Sequence, residues 1–320
     1  MFHRVSVVIL AKNEAETIGK CLDSLLTGQD LSEYGSVELE LVVVDNESTD
    51  ATASIAASKG AVVVRSDSKF LGELRNIGAA ATSGDVLAYI DGDCTASPEW
   101  LAIGLRTLEH EEVHAVTGVV GIPENSSWVE RAWVLPGEPK ACLTSKVFGA
   151  SFFCLREVFN RVSGFDDKKS AGEDSDLGDR LHAEGFKIKL EPGCRIIHWG
   201  YPSTLRGVID RQAWHVGGRS GDTPVLRDAT VLAAMVVVFF LFASILLIGL
   251  GMWRLAVMAM LFGLAPPALF VRLRKKRVGA RLSVANNLKA LAVAVAYFIG
   301  RAKGAIYRLL GLSFRRSHRQ

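Results

Sequence analysis

Val86-Leu87-Ala88-Tyr89-Ile90-Asp91-Gly92-Asp93 is the stretch that decides how this 320-residue chain is read. Five apolar residues in a row have the length of a strand, and an unbroken apolar run suits a strand covered on both faces, as in a parallel sheet flanked by helices. The run stops on an acid, a glycine and a second acid. On an extended backbone, residues i and i+2 point to the same side, so Asp91 and Asp93 can approach one cation. Mg²⁺ or Mn²⁺, held by one or two carboxylates together with diphosphate oxygens, is the coordination such a pair suits.

Similar apolar runs lie at residues 5–10, 39–44 and 61–64, separated by stretches of helical period such as Ile18, Cys21, Leu22, Leu25 and Leu26. Alternation of this kind predicts βαβ units on a mostly parallel sheet. Asp45 closes the second run as Asp91 closes the fourth, and in open α/β sheets the carboxyl ends of the strands line the ligand crevice. Downstream, Glu173-Asp174-Ser175-Asp176 leads into Leu177, Leu181 and Gly185, which reads as a helix with acids in its first turn and a glycine stop. The helix dipole favours acids there whatever the function. Phe186, Ile188 and Leu190 then alternate as a further strand, which sets that helix against the sheet. A carboxylate there with access to a hydroxyl can serve as a general base.

The composition is 49% hydrophobic, high for a purely soluble protein. Asp228 is the last acidic residue, and 14 of the 37 Lys and Arg follow it, which leaves 34 acidic and 23 basic groups on residues 1–228. An acidic first part argues against nucleic acid as a partner, whereas a basic end suits anionic membrane lipid. Five scattered cysteines without a CxxC pair indicate neither a disulfide framework nor a zinc site, in keeping with a reducing cytosol. The run before Lys12 is too short for a signal peptide and reads as a strand, so the first part is expected in the cytoplasm. Two apolar segments, about 229–251 and 255–271, predict a transmembrane hairpin at the inner or plasma membrane, the second interrupted by Pro266-Pro267. Arg219 and Arg227 before it and five basic residues from Arg272 to Arg277 after it, against Arg254 in the turn, place both flanks in the cytoplasm. Residues 290–300 are apolar but too few to cross, which predicts an amphipathic helix lying on the membrane or packed on the protein. The expected division is a first domain over 1–220 and a membrane anchor over 221–320.

The joint pattern resembles a known family. Residues 5–9 with Asn13-Glu14, then Val44-Asp45-Asn46-Glu47-Ser48-Thr49-Asp50, Arg75-Asn76 with Gly84-Asp85, Asp91-Gly92-Asp93, Gly164-Phe165-Asp166 and Glu173-Asp174 are similar in order and spacing to family 2 glycosyltransferases of the GT-A fold. That resemblance covers roughly residues 4–200. It implies a nucleotide-diphosphate sugar bound by Ala11, Asn13, Glu14, Asp45, Arg75 and Asp91, with Asp45 on the base. It also implies Mn²⁺ or Mg²⁺ on Asp93 and Asp91, and Asp174 as the catalytic base of an inverting transfer to a saccharide or lipid-linked acceptor. Leu10-Ala11-Lys12 departs from the usual Pro-Thr-Tyr, and Cys94 stands where a further Asp is common.

A C-terminal histidine is a third metal ligand in some relatives, which makes His198 either such a ligand or a residue that packs or hydrogen-bonds. Glu173, Arg211 and Trp214 are assigned to the acceptor side. Arg211, Trp214, His215 and Arg219 form an aromatic and basic cluster that suits a sugar diphosphate, a lipid headgroup or an interfacial belt. Trp128 and Trp133 fall in the acceptor region or in the core. A processive synthase lacks support, since Gln212-Ala213-Trp214-His215 is the nearest string to Gln-x-x-Arg-Trp. A polyprenyl-phosphate sugar transferase and a non-catalytic membrane scaffold are the alternatives.

Overall fold

The computed structural model describes residues 2–29, 31, 37–217, 225 and 228–312. Arg219, Arg227 and the basic residues beyond 312, all part of the expected charge pattern, lie outside the described residues. In chain order the first elements are β1 (Arg4–Ala11), α1 (Ile18–Leu26), β2 (Glu38–Asp45), α2 (Thr52–Ser58), β3 (Val62–Arg65), α3 (Leu71–Ala80), β4 (Val86–Asp91), β5 (Cys94–Ala96), α4 (Trp100–His110) and β6 (Ala115–Gly121). There follow α5 (Trp128–Val134), β7 (Cys142–Thr144), β8 (Ser151–Leu155), α6 (Arg156–Arg161), α7 (Glu173–Ala183), β9 (Ile188–His198), α8 (Leu205–Gly217), α9 (Ala229–Gly249), α10 (Trp253–Val278) and α11 (Val284–Leu309).

The chain forms two compact units, one from residues 1–123 with 140–200, the other from 124–139 with 201–320. The first is a nine-stranded sheet in the order β3-β2-β1-β4-β8-β6-β9-β5, with β7 on β9. Six of the nine strands, β1 to β4 with β6 and β9, run in one direction, as their pairings require. Side chains alternate between two apolar layers. Val5, Val7 and Ile9 of β1 pack with α1 and α4 residues on one face, while Val8 packs with Leu74 of α3 and Leu177 of α7 on the other. Burial on both faces is why the strands read as continuous apolar runs.

Antiparallel β8 inserted beside β4 was not foreseen. Its residues Phe152 and Phe153 are fully buried, and the Phe153 ring centroid lies 4.4 Å from that of Trp100. The carboxyl ends of β1, β2 and β4 are in register, with Ala11 paired to Asp45 and Leu10 to Asp91, so the acids that end β2 and β4 share one edge of the sheet.

In the second unit, α9 and α10 form the helical hairpin, and α10 runs through Pro266 and Pro267 without a break. Those prolines remove the amide donors to the carbonyls of residues 262 and 263. Residues 201–217, grouped with the first domain by sequence, pack here instead. The third apolar segment is longer than its eleven apolar residues imply: α11 has 26 residues and is, like α9 and α10, long and apolar enough to cross a membrane. Its polar positions escape an apolar-run count because they are paired, Lys303 with Asp210 at 2.7 Å and Arg301 with Asp228 at 2.6 Å. Gly300 and Gly304 let α11 lie close on α8, since a Cβ at either would sit 2.4 Å from the carbonyl of Ile209 or Ala213.

Phe153→Ala is expected to lower stability by about 3–5 kcal/mol through lost burial and a cavity. Leu143→Ala, on an exposed position of β7, is expected to change it by at most about 0.5 kcal/mol. Thermal unfolding of the two variants in detergent checks the contrast.

Candidate active site

Arg75 lies at the centre of the site. Its position on α3 buries the guanidinium, which reaches Asp91 Oδ1 at 3.2 Å, Glu173 Oε1 at 3.4 Å and donates to the Gly149 carbonyl at 2.9 Å. The cation also stands 5.6 Å from the Phe165 ring and 5.9 Å from the Tyr89 ring. Burial opposes the charge of Arg75, but Asp91, Glu173 and Asp174 outweigh it and hold the guanidinium above its ordinary range. Glu173 is pushed up, first by its own burial and then by Asp174, against the lowering effect of Arg75. Asp174 is half-buried in the first turn of α7, and its Oδ1 accepts from the Ser175 amide at 2.7 Å. The structure therefore brings Arg75, Asp91, Glu173 and Asp174 into one electrostatic group.

Asn76, next on α3, holds the following loop. Its Nδ2 donates to the Phe165 carbonyl at 2.8 Å and its Oδ1 accepts from the Phe165 amide at 2.9 Å. This two-way contact fixes the Gly164-Phe165-Asp166 loop before α7.

A second part of the site is built by β1, β2 and β3. A cleft of about 530 Å³ is lined by Asp45, Glu47, Ser48, Thr49, Arg65, Ser66 and Asp67. Asp45 is 2% exposed, and its Oδ1 has no hydrogen-bond partner among the described residues. An unsatisfied buried carboxylate oxygen is costly, so its persistence beside a cleft points to a ligand donor. Asn13 acts as a clasp: its amide donates to Ser48 Oγ at 2.9 Å and its Oδ1 accepts from the Thr49 amide at 2.8 Å. Both Asn13 and Glu47 adopt left-handed backbone, at φ 56° and 51°. The Glu14 amide donates to Thr52 Oγ1 and the Glu14 carboxylate accepts from Thr17 Oγ1, while Ala11 is buried at the end of β1. Sequence reasoning gave Asn13 and Glu14 to the nucleotide and missed that they shape the 46–50 loop. The signal was the pairing of Asn13-Glu14 with Ser48, Thr49 and Thr52, which only the fold brings together.

At the other end, β5 pairs with β9 so that Cys94 faces His198. Ligand atoms of Asp93, Cys94 and His198 lie within 4.8 Å of one another, and His198 Nε2 is 3.7 Å from Asp93 Oδ2. This donor set of carboxylate, thiol and imidazole fits a divalent cation. Asp91 is not in that cluster, its Oδ1 being turned to Arg75. His198 Nδ1 accepts from the Gly200 amide at 2.9 Å, so a neutral ring carries its proton on Nε2. A cation on Nε2 requires that proton on Nδ1 and the Gly200 amide turned away. A Cβ at position 200 would lie 2.0 Å from Asp93 Oδ2, so any larger residue there displaces that carboxylate. Arg211 and Trp214 belong to α8 of the second unit, where Arg211 lies 5.4 Å from the Tyr201 ring and the Trp214 ring 5.0 Å from that of His215. Trp133 packs in the same unit, under the guanidinium of Arg274.

Residues 6–162 match the family described as Glycosyl transferase family 2, and residues 86–274 match Glycosyl transferase family group 2. The chain belongs to the family 2 glycosyltransferases. It is 34% identical to the glycosyltransferase AglE of Haloferax volcanii over 258 residues, which cover 74% of this chain and 81% of that one. It is 30% identical over 284 residues to the pre-mycofactocin glycosyltransferase of Mycobacterium tuberculosis, covering 82% of this chain and a little over half, 57%, of that relative's length. In fold it is similar to the mannosyltransferase PcManGT from Pyrobaculum calidifontis, solved in complex with GDP-Man and Mn²⁺. The TM-score is 0.58 at 18% identity, over 96% of this chain and 87% of that one. Among the described residues of this glycosyltransferase, α9, α10 and α11 are each long and apolar enough to cross a membrane.

Arg75→Met leaves Glu173 buried without its counter-charge, which is expected to cost about 3–5 kcal/mol. Adding Glu173→Gln should recover part of that loss. Denaturant unfolding of the single and double variants measures the coupling, and two additive losses would mean that the pair does not interact.

Proposed function

We propose that this glycosyltransferase moves a sugar, with inversion and with the help of a divalent metal, onto a hydroxyl of a saccharide or lipid-linked acceptor at the membrane surface. The observation that carries the reading is the buried Arg75 bridge, which joins the acid-bearing end of β4 to the start of α7 and so keeps Asp174 beside the donor-binding edge of the sheet. Asp45 offers its unpartnered oxygen to an N–H of the nucleobase. Asp93 and His198 would hold Mn²⁺ or Mg²⁺, which would supply positive charge where the nucleoside diphosphate departs. The acceptor hydroxyl attacks the anomeric carbon from the face opposite that diphosphate. Asp174 takes the hydroxyl proton as the new bond forms, and the configuration at that carbon inverts.

A lipid-linked acceptor and cytoplasmic catalysis are supported by the second unit. α11 meets α9 around Val231, Ala234 and Val237 and meets α10 around Phe270, Val271 and Val278, the open end of the hairpin. The far halves, including Phe242, Ile245, Leu246, Trp253 and Leu261, are exposed apolar surface. This pattern fits two spans in lipid with α11 lying across their base at the interface, its basic residues toward anionic headgroups. Arg272, Arg274, Lys275, Lys276 and Arg277 at that base, against Arg254 in the turn, favour a cytoplasmic base and a multi-pass anchor.

Incubating the membrane-embedded enzyme with a panel of nucleotide sugars and measuring nucleoside diphosphate release tests the reaction. Release should stop in chelator and return with Mn²⁺ or Mg²⁺. Asp174→Asn should lower kcat by about 10²–10⁴-fold with donor binding nearly intact, and wild-type turnover in that variant would remove Asp174 from its role. A reporter active only in the cytoplasm, fused to Gln320, should be active. An inactive one, beside an active reporter of the opposite compartment, would refute α11 as an interfacial helix.

A further inference from the structure

The strand pairing that sets His198 opposite Cys94 assembles three unlike donors, and the reaction just proposed uses only two of them. Asp93 stands between the others. Cys94 Sγ lies 3.5 Å from Asp93 Oδ1, while Asp93 Oδ2 faces His198 Nε2 at 3.7 Å. Cys94 is fully buried and His198 is 5% exposed, so sulfur and nitrogen sit at the inner wall of the site. Donors bound at about 2.0–2.3 Å in a tetrahedral site stand about 3.6 Å apart. The observed separations, all within 4.8 Å, therefore need side-chain shifts of roughly an ångström, and the Gly200 amide that now donates to His198 Nδ1 must turn from it.

Ligand softness then decides which ion is held. Mg²⁺ asks for oxygen ligands and gains little from sulfur, whereas Zn²⁺ and Cd²⁺ favour thiolate with imidazole. We propose that Cys94 joins Asp93 and His198 as a metal ligand, which makes this a thiophilic site that takes Zn²⁺ or Cd²⁺ in preference to Mg²⁺. The inference rests on the reading that a cation binds at Asp93. Binding breaks the S–H bond of Cys94 and forms a sulfur–metal bond, and the thiol proton leaves to solvent. Of the other cysteines, Cys142 is exposed on β7 and Cys21 is buried with its Sγ 3.7 Å from the Asp91 carbonyl.

The test uses the full chain in detergent with Cys142→Ser, so that the exposed thiol takes no metal, titrated with CdCl₂ alone. A cadmium–thiolate charge-transfer band in the near ultraviolet should grow to one equivalent with release of one proton. Cys94→Ser should abolish the band and weaken Cd²⁺ at least about tenfold, the lower end of what loss of an outer-shell partner alone costs, with little change for Mg²⁺. Cys21→Ser should keep the band. Cadmium-113 NMR of the Cys142→Ser protein itself, whose shift separates sulfur from all-oxygen ligation, needs no substitution at Cys94. No band, an all-oxygen shift, a band that survives Cys94→Ser, or one lost in Cys21→Ser would each overturn the proposal. A missing band beside normal nucleoside diphosphate release overturns Cys94 ligation alone, whereas absent release with every donor overturns the proposed reaction and leaves the band standing.

Discussion

A buried guanidinium must find counter-charges or it cannot stay buried, and Arg75 meets that demand with groups drawn from three distant parts of the chain. Asp91 comes from the end of β4, Glu173 from the start of α7, and the Gly149 carbonyl from the segment before β8. Each partner is thereby oriented by the same cation. Losing Asp91 or Glu173 leaves the buried guanidinium with one counter-charge fewer. The aromatic rings of Tyr89 and Phe165 close the cation off from the core and give it a preferred side. The geometry of the acid-bearing edge of the sheet and the placement of Asp174 are in this sense one constraint.

Much of the first unit was legible because its information is local. The apolar runs at 5–10, 39–44, 61–64 and 86–90 became β1 to β4, since residues buried on both faces have no polar alternation to confuse the reading. The acidic turn and glycine stop of α7 were equally plain. What escaped were features decided by contacts far apart in sequence. The antiparallel entry of β8 leaves no local mark, because Phe152 and Phe153 would be apolar in either direction. Asn13 looked like a ligand-binding residue, yet its side chain is engaged with Thr49, 36 positions away. Cys94 read as a departure from a family pattern, and only its register with His198 turns it into part of a donor cluster.

The helical unit shows where counting apolar residues fails. Lys289, Arg301, Lys303 and Arg308 interrupt the third segment, so the helix expected over its apolar core was read too short, and α11 extends from Val284 to Leu309. Arg301 and Lys303 are tolerated because Asp228 and Asp210 neutralise them, and Gly300 and Gly304 allow the backbone of α11 near enough to α8 for the Lys303–Asp210 pair to form.

The pairing of Arg301 with Asp228 spans 73 residues and has a consequence in time. Asp228 caps α9 through the Thr230 amide and is made long before its partner. At about 5–20 residues per second, the ribosome needs roughly 4–15 s to reach Arg301 after Asp228 has been added. During that interval the acid at the head of α9 has its cap but not yet its contact with Arg301. A chain that stops short of Arg301 never gains the guanidinium that ties the head of α9 to α11 in the finished molecule.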